Sequence, residues 1–145
     1  MLKKILETQM LRDEHFPVVA FFNAITDDSF VNIVQHLSTG VGYGINDVDC
    51  TFPNDLEPDE EPFHGVLFAL HDDEVIVDYQ TFYYYLEQAC NTYITEYPQD
   101  KKTISEVLRK VFEKYRLANW QKQPLKIVEQ LSIEISRMIK DNSNW

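Results

Sequence analysis

Apolar residues recur at helical spacing through much of the chain. Val18, Phe21, Phe22 and Ile25 fall at i, i+3, i+4 and i+7, which predicts a helix opened by Pro17. A strand through residues 18–22 is the alternative there, because β-branched and aromatic side chains favour strands. Phe30, Val31, Val34 and Leu37 share one face of a second helix, with Asp27 or Asp28 as its cap and Gly40 as its end. Leu2, Ile5, Leu6 and Met10 give residues 2–12 one apolar side, which predicts a short amphipathic helix. The middle of the chain reads differently. GVGYGIN and DVDCTFP are extended and broken by glycine, and GVLFAL and VIV flank an HDDE turn as a hairpin. Helical spacing then returns. Asp78 caps a helix with Tyr79, Phe82, Tyr83, Leu86, Cys90, Tyr93, Ile94 and Tyr97 on one side, ended by Pro98. Thr103 and Glu106 form a capping box for a helix with Ile104, Val107, Leu108, Val111, Phe112 and Tyr115 inward. Pro124 opens a last helix, with Leu125, Val128, Leu131, Ile135 and Met138 inward.

These elements predict an α+β fold. A small antiparallel sheet, with strands near 41–53, 63–70 and 74–78, packs with several helices, and the C-terminal half is helical. With 145 residues, no internal repeat and no Pro/Gly/Ser linker, residues 1–145 read as one domain.

Charge changes this picture. Residues 13–100 contain eighteen Asp/Glu and no Lys or Arg, while both flanks are net positive, and the whole chain carries −11. So one-sided a charge stores self-repulsion that opposes compactness, and a strongly basic partner would offset it. Phosphates and anionic membranes are repelled by the same window, so neither nucleic acid nor membrane is an expected partner. Glu7, Gln9 and Arg12 interrupt any apolar signal core, and no run approaches the length of a membrane span, so a cytoplasmic location is expected. Cys50 and Cys90 lie in no metal-ligand or CxxC spacing and read as two reduced, buried thiols. Nothing in the pattern sets an oligomeric state.

Four chemistries are open to such a chain. The first is partner binding by an acidic belt of Asp47, Asp49, Asp55, Glu57, Asp59, Glu60 and Glu61, followed by Asp72, Asp73 and Glu74. Against it stands a merely solvated surface. The second is calcium. Asp47-x-Asp49 begins like an EF-hand loop, but Thr51, Phe52 and Pro58 stand where an acid, a glycine and a glutamate belong. The third is catalysis. His15, His36, His64 and His71 sit in no metal or triad spacing, and no GxSxG, P-loop or dinucleotide fingerprint is present. No enzyme, metal or cofactor is therefore expected. The fourth is the run FYYYL at 82–86, where Tyr84 and Tyr85 fall off the inward stripe and offer aromatic binding anchors, as does Phe52.

Residues 42–98 carry a further signal. An acidic F-P-N-D loop in GYGINDVDCTFPNDLEPDEEP precedes an F-x-G-V-x-F strand, FHGVLF. The turn-and-strand DDEVIV follows, and then the helix FYYYLEQACNTYITEYP with its F-Y-x-Y-L-x-x-A-C pattern. This stretch resembles the immunity proteins of contact-dependent growth inhibition (CDI) systems that act against ribonuclease toxins. The resemblance implies a cytoplasmic, non-catalytic protein that tightly binds one cognate toxin, the C-terminal nuclease domain, and so protects the producing cell and its siblings. It fixes no binding residues, because immunity interfaces diversify with their toxins. Charge and resemblance agree, since a ribonuclease needs a cationic cleft for RNA phosphates and for the charged transition state. The expected toxin contacts are Asp55, Glu57, Asp59, Glu60, Glu61, Asp72, Asp73 and Glu74, with Phe52 and Tyr84 or Tyr85 as anchors. The alternative is an acidic adaptor or regulatory module for another basic protein.

Overall fold

The computed structural model describes residues 1–117. Four α-helices and one four-stranded sheet make up these residues: α1 (Phe16–Ala24), α2 (Phe30–Ser38), β1 (Tyr43–Ile45), β2 (Val48–Thr51), β3 (Val66–Leu70), β4 (Asp73–Val77), α3 (Tyr79–Glu96) and α4 (Lys101–Lys114). The fold is α+β with a helical C-terminal half, as the pattern predicts. The helix expected after Pro124 lies outside the described residues.

The sheet is an antiparallel meander in the order β1-β2-β3-β4. The extended segment expected at 41–53 is a hairpin of its own, because Asn46 adopts φ 52° and turns the chain between β1 and β2. His71 does the same between β3 and β4 with φ 57°. Only His71 and Asp72 occupy that turn, so Asp73 and Glu74 belong to β4. Alternation decides the faces. Val48, Cys50, Val66, Phe68 and Val77 are buried on one side, where α1 packs across β2, β3 and β4. Phe21 and Phe22 of α1 and Phe82 of α3 converge on Phe68.

Pro17 opens α1, and the helix wins over a strand because Val18, Phe21 and Phe22 all enter the core. Gly40, at φ +80°, ends the second helix. Asp78 caps α3, its Oδ1 accepting from Thr81 N at 2.7 Å.

Three expectations are corrected. Residues 2–12 form no α-helix. The Asn23 side chain takes both polar backbone groups of Ile5, accepting from its N–H at 2.9 Å and donating to its carbonyl at 3.0 Å. Those groups are thereby removed from any helical ladder, and a single 3₁₀ turn at Glu7–Gln9 remains. Asp27 does not cap α2, because its carboxylate is held by Leu2 N, Lys4 Nζ and Tyr97 Oη. The fourth helix begins before its capping box: the 3₁₀ turn Pro98–Asp100 leads directly into Lys101, which leaves Thr103 and Glu106 inside the helix.

Candidate binding surface

The loop after β2 is organised by one of its own acids. The Asp55 carboxylate accepts from Phe52 N at 2.8 Å and from Gly42 N at 3.0 Å, which closes the 3₁₀ turn Pro53–Asp55 against the start of the sheet. Gly42 is required there, since a Cβ would stand 2.1 Å from the Cys50 carbonyl oxygen. Farther along, Glu60 Oε1 accepts from Glu57 N at 2.8 Å. Glu57, Asp59, Glu60 and Glu61 are all exposed.

A second acidic group lies at the β3–β4 turn. His71 N donates to the Asp47 carbonyl at 3.3 Å, which ties this turn to the β1–β2 turn. His71 Nε2 also stands 3.9 Å from an Asp47 carboxylate oxygen. Asp72, Asp73 and Glu74 point into solvent beside them.

The structure therefore does not join the expected acids into one belt. The register pairs Thr51 with Leu67 at one end of the sheet and Val48 with Leu70 at the other. The 55–61 loop leaves the first end, and Asp47 and Asp72 sit at the second, about 13 Å away by the rise of β3. None of the eight expected acidic contacts forms an ion pair with Lys or Arg among the described residues.

The aromatic anchors behave differently. Phe52 is buried edge-on against Phe82, their ring centres 5.5 Å apart. Tyr85 is fully buried; its hydroxyl accepts from Leu11 N and lies 2.8 Å from His15 Nδ1. Neither ring is offered to a partner. The buried side of α3 includes Phe82, Leu86, Cys90 and Tyr93 of the expected stripe and widens to take in Tyr85 and Ala89, while Tyr79, Tyr83, Ile94 and Tyr97 are only partly buried against it. Tyr84 is half-buried, with its hydroxyl donating to the Gln9 carbonyl. Together these tyrosines strap the N-terminal segment to α3.

Pattern reading also missed a surface. Asp49, Leu67, Ala69, Glu74 and Ile76 share the sheet face opposite the helices. VLFAL is apolar throughout, so it reads as a strand buried on both sides, and only the pairing register reveals that Leu67 and Ala69 turn outward.

Cys50 and Cys90 are free and buried, and burial pushes both thiols up. Among the described residues no three His, Cys, Asp or Glu side chains group to hold a metal ion. None of the described helices is long and apolar enough to cross a membrane.

The model of the CDI immunity protein family matches residues 7–108. The chain belongs to that family. This CDI immunity protein thus has the family's role, the neutralisation of a CDI toxin by an inhibitor that binds it. The match extends beyond residues 42–98, from the 3₁₀ turn at Glu7 to Leu108 in α4, and so includes the whole sheet and the strap that holds it to α3. No curated protein matches the sequence.

Proposed function

We propose that this CDI immunity protein neutralises a ribonuclease toxin by presenting carboxylates to the toxin's cationic RNA-binding cleft. One observation carries the reading: the acids from Glu57 to Glu74 are exposed and have no Lys or Arg counter-charge among the described residues. Carboxylates placed so compete with RNA phosphates for the same guanidinium and ammonium donors. The protein acts by occupancy and performs no catalysis of its own. It works in the cytoplasm, where the toxin's RNA substrates are. Phe52 and Tyr85 hold the loop and α3 in place from inside, so the charged contacts proposed are Asp55, Glu57, Asp59, Glu60, Glu61, Asp72, Asp73 and Glu74, with the half-buried Tyr84 as the one expected aromatic anchor not taken into the core.

The test uses the purified cognate toxin domain. Its RNA cleavage should stop at equimolar immunity protein, and the association rate should fall at least tenfold between about 0.02 M and 0.5 M salt. Cleavage that continues under saturating immunity protein, or an association rate indifferent to salt, sinks the proposal.

A further inference from the structure

The two acidic ends are not equivalent, and the difference points to where the partner docks. At the loop end, Asp55 and Glu60 are engaged by their own backbone. At the turn end, the carboxylates of Asp49 and Glu74 make no hydrogen bond or ion pair among the described residues, and both residues lie in strands. Pairing of Asp49 with Ala69 and of Ala69 with Glu74 sets these three in one row across the sheet, on the face away from the helices. The next row on that face is Thr51, Leu67 and Ile76. Leu67 and Ile76 stand outside the core cluster, and Ile76 is 49% exposed on an edge strand.

An exposed Ile76 and a half-buried Leu67 beside unpaired carboxylates have the anatomy of an interface: an apolar centre with a charged margin. Strand residues are already fixed, so less ordering is needed on contact than for a loop. The charge selects the occupant. A second copy of this chain would bring Asp49 and Glu74 against like charges, and nucleic acid or anionic lipid would be repelled. We infer that the outer face of β2, β3 and β4 is the docking surface for a cationic protein partner, which seats an apolar side chain on Leu67 and Ile76 and basic residues against Asp49 and Glu74. Resting on the proposed function, the inference takes that partner to be the toxin domain.

Two sets of substitutions separate the ends. One is Ile76→Arg combined with Asp49→Lys and Glu74→Lys; the other is Glu57→Lys, Asp59→Lys and Glu61→Lys. Affinity for the purified toxin domain is measured by calorimetry, with circular dichroism confirming the fold. The sheet-face set should weaken binding on the order of 100-fold or more, and the loop set, whose acids lie at the margin of the contact, by a factor about tenfold smaller. Ile76→Thr keeps a β-branched residue in the strand and should still cost about tenfold. A large loss from the loop set with an intact sheet-face set overturns this inference and leaves the proposed function standing. Equal indifference to both sets overturns it as well. Failure of the unaltered protein to bind the toxin domain removes the proposed function with it.

Discussion

Lys4 has no exposed surface, and its ammonium uses all three donors. They reach the carbonyls of Leu2 at 3.2 Å and Ile25 at 2.7 Å and Asp27 Oδ1 at 2.8 Å. Together with Leu2 N and Tyr97 Oη, this ammonium holds the Asp27 carboxyl down to about 2. Lys4→Met should destabilise the protein by about 2–4 kcal/mol in urea unfolding, because it leaves a carboxylate without its counter-ion. Asp27 contributes stability that is fully present above its unfolded pKa of about 4 and disappears as pH falls toward 2. Melting temperatures of Lys4→Met should therefore approach those of the unaltered protein over that interval. Glu87 acts with the opposite sign. Burial raises its pKa, and Oε1 has no hydrogen-bond partner among the described residues. Its penalty is absent at low pH and sets in as pH rises through the folded pKa. Glu87→Leu should gain about 1–2 kcal/mol at neutral pH, a gain that vanishes near pH 4. A variant no more stable than the original at pH 7 would show that this carboxylate is solvated after all.

At the scale of elements, caps and straps decide where helices begin and what they cover. Loss of the 2.7 Å bond in Asp78→Ala should cost about 1 kcal/mol in urea unfolding, with no change in the slope against denaturant. That cap was legible in the sequence, because Asp precedes a long run at helical spacing. Pro17 and Gly40 were legible for the same reason: each acts through its own backbone. What could not be read locally depends on distant partners. Asn23 unmakes the N-terminal helix from eighteen residues away, and Tyr85 turns inward because Leu11 and His15 meet its hydroxyl from seventy or more. Tyr83, expected inward, is half-buried and meets Phe112 edge-on. Register was similarly hidden. VLFAL alternates inward and outward with no polar residue to show it, and a one-residue slip would exchange Phe68 for Leu67 in the core.

For the whole molecule, the absence of Lys and Arg between residues 13 and 100 is a property of composition, so it was visible at once; its division between two ends of a sheet is a property of topology and was not. The division lowers repulsion, because like charges about 13 Å apart are partly screened at physiological salt, where the Debye length is about 8 Å. At 0.01 M salt that length is about 30 Å, and the two ends then repel across the sheet. Added sodium chloride should therefore raise the melting temperature of the free protein by several degrees between 0.01 M and 0.2 M. An unfolded chain holds the same acids farther apart and gains less from screening. Over the same range the affinity for a cationic toxin should fall, because screening then removes attraction. Opposite responses to one variable separate the two uses of the charge. If salt left the free protein's melting temperature unchanged or lowered it, the carboxylates would already be neutralised within the chain, and the acidic ends would have nothing to offer a basic partner.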